Sequence, residues 1–156
     1  NFCSVIPGNI FGENDNFNLE DGHVVPSLVH KCYNAKKNGT PLEVWGDGSA
    51  YREFLYAKDV ARVCIQLLES DVELPRRVIV SGQEETQIKD LVKLVCDAYD
   101  YHNVKWLTDK PNGQLRRPTN KEVFHKILPE FEYTGLSEAM KKTVTWFEQT
   151  YPNVRL

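Results

Sequence analysis

Two hydrophobic periods alternate along the chain, and each switch between them marks an element. Positions 24, 25, 28, 29, 32 and 35 are apolar, a three-and-four spacing that predicts a helix over Val24–Lys37. Pro26 falls in the first turn, where its missing N–H costs nothing, and Asn38-Gly39 ends the helix. Val24, Leu28 and Lys31 share one face, which aims Lys31 toward the side of the loop carrying His23. The same spacing recurs at Val60, Val63, Cys64, Leu67 and Leu68 in a helix over Asp59–Ser70. It returns at Ile88, Leu91, Val92, Val95 and Ala98 behind a Thr86 N-cap, and at Leu136, Met140, Val144 and Phe147 in a helix over Leu136–Thr150. A shorter helix is predicted over Asn120–Leu128.

Between the helices lie short β-branched or alternating runs. Phe2–Ile6 reads as a buried strand, and Arg77–Val80 and Val104–Leu107 read as strands. Leu42–Trp45 and Tyr51–Tyr56 flank Gly46-Asp47-Gly48, which predicts a small antiparallel piece over 42–56. Strands alternating with helices argue an α/β fold with parallel pairing. The polar stretch 108–118, broken by Pro111, Gly113 and Pro118, reads as a loop.

The composition, 41% hydrophobic and 26% charged, suits a globular domain and argues against disorder. A net charge of −3 without long like-charge runs gives no reason to expect nucleic acid or an anionic membrane as partner. No apolar run approaches the roughly 18 residues of a membrane-spanning helix, so the cytoplasm is the expected compartment. Cys3, Cys32, Cys64 and Cys96 form no C-x-x-C and read as reduced, mostly buried residues. No histidine pair has ligand spacing and no carboxylate or cysteine cluster completes a set, so no metal is expected. The chain opens at Asn1 without Met, inside what reads as a strand, and the expectation is the C-terminal part of a longer protein.

Candidate chemistry gathers at strand and helix ends. Ser4-Val5-Ile6 runs into Pro7-Gly8-Asn9-Ile10, then a polar loop ending in Gly22-His23, the place where α/β folds keep ligands. His23 sits at a loop-to-helix junction from which an imidazole, with its pKa of about 6.5, can give or take a proton; the alternative is an ordinary surface histidine. Arg52, facing away from Glu53, either binds a diphosphate or closes a cross-strand ion pair. Trp45 is either core or a stacking surface. Lys110, Arg116 and Arg117, with Asn112 and Gln114, make a basic loop that is either solvated or a phosphate clamp; Lys31 and Arg52 add cations from separate segments. There is no Gly-x-Gly-x-x-Gly after a strand, and Tyr33 with Lys37 matches Tyr-x-x-x-Lys only by chance spacing.

Pro7-Gly8-Asn9-Ile10-Phe11-Gly12 with Asp15-Asn16-Phe17 and His23-Val24-Val25-Pro26 resembles the GDP-L-fucose synthase family, a branch of the extended short-chain dehydrogenases. Val44-Trp45-Gly46-Asp47-Gly48, Arg52-Glu53-Phe54-Leu55-Tyr56, Asp59-Val60-Ala61, Lys110-Pro111-Asn112-Gly113-Gln114 and Arg116-Arg117 extend the likeness over nearly the whole chain. The chain departs from the family pattern at Gly8, where Thr is usual, at Glu13, where Pro is usual, and at Asn112, where Asp is frequent.

The resemblance implies the C-terminal, substrate-binding part of a Rossmann-type fold, a mixed small sheet with flanking helices over residues 1–156. It implies an enzyme that epimerises GDP-4-keto-6-deoxy-mannose at C3 and C5 and reduces C4 with NADPH, homodimeric when full-length. His23 would be the acid that returns a proton and would lie near the nicotinamide, beside Pro7, Gly8, Asn9 and Ile10. Lys31, Trp45, Arg52, Asn112 and Arg117 would contact the GDP-sugar. Most of the NADP site and the remaining catalytic groups would belong to an N-terminal Rossmann domain, leaving this piece inactive alone. The competing readings are another nucleotide-sugar epimerase, dehydratase or reductase, and a non-catalytic sugar-nucleotide-binding module.

Overall fold

The computed structural model describes residues 2–156. In chain order the elements are β1 (Ser4–Pro7), β2 (Asn9–Phe11), α1 (Val24–Asn38), β3 (Leu42–Trp45), β4 (Tyr51–Tyr56), α2 (Ala57–Leu68), β5 (Arg77–Val80), β6 (Glu85–Gln87), α3 (Ile88–Tyr99), β7 (Val104–Leu107), α4 (Glu122–Ile127) and α5 (Leu136–Thr150). The fold is mixed α/β, with small sheets carrying flanking helices.

β1 pairs in parallel with β5, Ser4 opposite Arg77 and Pro7 opposite Val80. The Gly8 amide continues this ladder to the Val80 carbonyl (2.8 Å), and the chain then changes partner. β2 lies parallel to β4, Asn9 opposite Phe54, and β4 accepts β6 antiparallel on its other edge. β3 lies parallel to β7, Leu42 opposite Val104.

The expected hairpin over 42–56 is therefore absent. Gly46-Asp47-Gly48 does turn the chain, with positive φ at both glycines, but the strands on either side join different sheets. β3 buries Leu42 and Val44 by pairing with a strand some sixty residues away, and that burial outweighs the local signal. The three-residue strands β2 and β6 were not legible as such. Thr86 lies within β6 rather than capping α3; Gln87 is the N-cap, without a side-chain bond. The expected burial of the opening strand is also corrected: Phe2 is 83% exposed and Ile6 43%.

The helices follow their apolar stripes. α1 buries Val25, Leu28, Val29, Cys32 and Ala35, and ends at Gly39 (φ 66°), where the Gly39 and Thr40 amides take the Lys36 and Ala35 carbonyls. α3 buries Leu91, Val92, Val95, Cys96 and Tyr99, and α5 buries Met140, Val144 and Phe147. These three helices close one core with β3, and each large side chain so buried contributes about 1.5–3 kcal/mol. A second, smaller core gathers Val63 and Leu67 of α2, Val78 and Val80 of β5, and Phe124 of α4. Tyr33 packs on Phe147 and Tyr151, so its spacing to Lys37 is core packing. Cys32 and Cys96 are buried and all four cysteines are free thiols. Contact between the two buried thiols pushes Cys32 up and Cys96 down from their ordinary values.

Candidate functional site

The exchange of partners at Gly8 opens the sheet, and the segment that follows folds over the gap. The Asn9 side chain donates to the Glu53 carbonyl (2.8 Å), which fixes β2 on β4. Beyond β2 the loop binds itself. Asp15 Oδ1 accepts the Asn16 amide (2.7 Å), Asn16 Nδ2 donates to Asp21 Oδ1 (3.0 Å), and Asn18 Oδ1 accepts the Glu20 amide (2.7 Å). The Gly22 amide reaches the Asn18 carbonyl (3.1 Å); a Cβ there would fall 2.3 Å from that oxygen, so only glycine allows the approach.

Phe17 anchors the middle of this loop. Its ring is fully buried against Phe147, its amide donates to the Arg155 carbonyl (2.9 Å), and its carbonyl accepts His30 Nδ1–H (2.8 Å). His30, buried on α1, holds the loop from below. The signal for it was its place in the apolar stripe of α1.

The loop ends at His23, the N-cap position of α1. Its ring makes no capping bond and is exposed. It lines a recess of about 420 Å³ together with Gly8, Asn9, Ile10, Asp15 and Phe54. His23 and three residues expected beside it, Gly8, Asn9 and Ile10, are thus brought together. Pro7 lies at the end of β1, next to them in the chain. Glu13 lines the same recess as an ionised group: burial would push its carboxyl up, but hydrogen bonds from Lys58 Nζ and Tyr56 Oη (both 2.8 Å) hold it below the usual range. In return burial and the Glu13 carboxylate push the Tyr56 phenol up.

Of the remaining candidates, Lys31 shares a recess with Trp45, and Arg52 and Asn112 meet at the same loop, whereas Arg117 is not brought to any of them. Lys31 and Trp45 line another recess, of about 550 Å³, with Leu19 and Glu43. Lys31 therefore does not join the recess that His23 lines. Trp45 is 61% exposed, which rules out the core alternative. Next to it, Gly46 (φ 79°) lets the turn meet the polar loop: Asn112 Oδ1 accepts the Asp47 amide (2.8 Å), and a Cβ on Gly46 would fall 2.0 Å from that oxygen. Arg52 extends from β4 toward the same loop, its Nη2 3.8 Å from where a Cβ of Gly113 would lie. Among the described residues no carboxylate pairs with Arg52, so the cross-strand ion pair is not made; its Nη1 donates to its neighbour's carbonyl, Tyr51 O (2.6 Å).

Two further ties set the loop against β4 and β6. The Leu115 carbonyl accepts the Tyr51 amide (2.8 Å), and Arg116 forms a bidentate pair with Glu85. Arg116 is thereby spent within the protein, whereas Arg117 is exposed. Beyond the loop, Lys121 Nζ bonds Glu53 Oε1 (2.9 Å) and the carbonyls of Gly82 (2.6 Å) and Gln83 (3.2 Å), while Thr119 Oγ1 donates to Glu53 Oε2. Glu53 is 4% exposed and faces the other side of β4 from Arg52. Sequence reading passed over Lys121, which fell at the start of the helix predicted over Asn120–Leu128 and carried no motif.

The family model for the NAD dependent epimerase/dehydratase family matches residues 1–82. A GDP-L-fucose synthase from Dictyostelium discoideum is 33% identical over 156 residues, covering 99% of this chain and 49% of that protein. GDP-L-fucose synthase 1 from Arabidopsis thaliana is 40% identical over 148 residues, covering 92% of this chain and 45% of that protein. A crystal structure of a GDP-L-fucose synthetase from Naegleria fowleri bound to NADP superposes with a TM-score of 0.94 at 37% identity, covering 99% of this chain and 47% of that one. The chain thus spans about half the length of the relatives it matches. With more than half of its residues inside the family model and its fold reproduced in the Naegleria structure, the chain belongs to the NAD dependent epimerase/dehydratase family.

Proposed function

We propose that residues 1–156 are the GDP-sugar-binding part of a GDP-L-fucose synthase, and that His23 is its proton-returning acid. The observation that carries the reading is the shared recess of His23 with Gly8, Asn9 and Ile10; a second recess, lined by Lys31 and Trp45, offers a cation and an aromatic face to a nucleotide. The names and lengths of the relatives support it, and they support a longer protein in which a Rossmann domain supplies the rest.

The chemistry follows from the ketone at C4 of the sugar. Protons at C3 and C5 are acidic because their loss gives an enolate, and inversion needs a proton returned on the opposite face. An exposed imidazolium at a helix N-terminus can reach such a carbon and leave as a neutral ring. Arg52 and Arg117 pair with the diphosphate oxygens, Asn112 and Lys31 add single hydrogen bonds, and Trp45 offers a flat face to base or sugar. Fixing the nucleotide at this distance from the ketone lets binding energy far from the reacting carbons orient them.

The recess around His23 is lined by Gly8 to Asp15 and by no Lys or Arg. It fits the nicotinamide end of NADP and not its phosphates, so Pro7, Gly8, Asn9 and Ile10 would flank that ring. When bound, NADPH supplies the hydride for C4.

Calorimetric titration of this chain with GDP, with ADP and with GDP on Arg52→Ala tests the reading. The expected result is GDP binding that weakens with ADP and about 10- to 100-fold with the variant, the worth of a charge-assisted hydrogen bond. Absence of heat on a sample folded by circular dichroism overturns the assignment of the nucleotide site to this chain.

A further inference from the structure

Two Asn-Gly pairs lie on the surface, Asn38-Gly39 and Asn112-Gly113, and the fold treats them differently. In such a pair the glycine nitrogen, unhindered by a neighbouring Cβ, can attack the asparagine side-chain amide. Asn38 is the last residue of α1, and the Gly39 N–H is taken by the Lys36 carbonyl (3.4 Å), so helix and cap keep that nitrogen from closing a ring. Asn112-Gly113 stands in the polar loop with Gly113 at φ 71°, and among the described residues nothing accepts the Gly113 N–H. We propose that Asn112 is a site of self-modification, converted through a cyclic imide with Gly113 into aspartate and isoaspartate, with the Asp47 N–H and Arg52 promoting the closure.

These two groups come from other segments and act on opposite ends of the new bond. The Asp47 N–H donates to Asn112 Oδ1 at 2.8 Å, so a fixed backbone dipole sits on the oxygen that becomes negative when the amide carbon is attacked. The approach exists because Gly46 has no side chain; a Cβ there would overlap Asn112 Oδ1. Arg52 reaches the nucleophile's residue from β4, its Nη2 3.8 Å from where a Cβ of Gly113 would lie. Its Nη1 serves the Tyr51 carbonyl, and among the described residues no carboxylate neutralises its charge. A cation so placed favours loss of the Gly113 amide proton.

The step balances with water alone. Hydroxide takes the Gly113 amide proton, the nitrogen bonds to Asn112 Cγ, and the carbonyl electron pair moves onto Oδ1. The Cγ–Nδ2 bond then breaks, and Nδ2 leaves as ammonia with a proton from water. Water adds to either carbonyl of the imide and the bond from that carbon to the Gly113 nitrogen breaks, leaving a carboxylate where an amide stood. Opening at the main-chain carbonyl gives isoaspartate, which adds one methylene to the backbone. If Arg52 holds a diphosphate, a consequence that rests on the function proposed above, either product sets a negative charge beside it and weakens nucleotide binding as the protein ages.

The test needs no ligand, so its failure is separate from any failure to bind GDP. The folded 156-residue chain is held in mildly alkaline buffer, sampled over days, digested and read by mass spectrometry, with electron-transfer fragmentation separating aspartate from isoaspartate. The same chain in urea is the reference. The expected result is amide-to-acid exchange at Asn112 at least about tenfold faster than at Asn38 in the folded chain, a margin that one preorganised donor supplies, and similar rates at both in urea. Arg52→Ala slows the exchange at Asn112 and leaves that at Asn38 unchanged. The proposal is overturned if Asn38 exchanges as fast as Asn112 in the folded chain, if Asn112 exchanges more slowly folded than in urea, or if Arg52→Ala leaves the Asn112 rate as it was.

Discussion

The pair of Glu53 with Lys121 is the interaction whose loss should be felt furthest. Replacing Lys121 by Met removes a cation 2.9 Å from Glu53 Oε1 and strands the Gly82 and Gln83 carbonyls, leaving the carboxylate with Thr119. At 2.9 Å and an effective dielectric of about 20 the pair attracts by about 6 kcal/mol. Desolvation offsets much of that, and the side chains are 5% and 14% exposed. Removing one partner from such a site costs about 3–5 kcal/mol, because a buried charge is left uncompensated. Urea denaturation of wild type, Lys121→Met, Glu53→Gln and the double variant at pH 7 measures this as a cycle. The double variant should lose less than the two single losses together, by at least about 1 kcal/mol. Burial pushes the Glu53 carboxyl up, but hydrogen bonds from Thr119 and Lys121 hold it below its ordinary value of 4.5. Its contribution is therefore complete above about pH 4.5 and is lost as pH falls through the lower folded value, so Lys121→Met should flatten the acid limb. Additive losses, or an acid limb unchanged in Lys121→Met, would refute the reasoning.

Two further predictions concern side chains whose roles the structure separates. Arg117→Ala should weaken GDP binding about tenfold or more, while Arg116→Ala, already paired with Glu85, should change it less than about threefold; calorimetry on both variants decides, and the reverse order would sink the assignment. His30→Phe keeps an aromatic ring against Phe147 but strips the Phe17 carbonyl of its donor, and thermal unfolding should show a loss of about 1–3 kcal/mol; an unchanged midpoint would mean that the loop is held otherwise.

What the sequence revealed, and what it hid, divides along the range of the interactions. α1, α3 and α5 were legible because a helix satisfies its own backbone and needs only one apolar stripe, so local spacing predicts it. The pairing of β3 was not, because a strand takes its partner from anywhere in the chain. Leu42-Glu43-Val44-Trp45 beside Gly46-Asp47-Gly48 reads as half a hairpin until Val104–Leu107 arrives with half-buried Val104 and Trp106 opposite Leu42 and Val44. The same limit governs the site. The family resemblance grouped His23 with Gly8 to Ile10, which lie on either side of one loop, whereas Lys31, eight residues beyond His23 along α1, ends in a different recess. Residues that secure the site, His30 under the loop and Lys121 behind Arg52, carry no chemistry of their own and so left no motif. Their effect is nevertheless transmitted to the chemistry, since β4 presents Arg52 on one face and Glu53 on the other. A change at Lys121 that loosens the 112–117 loop must then alter the position of Arg52 relative to Asn112, and nucleotide affinity should fall together with stability.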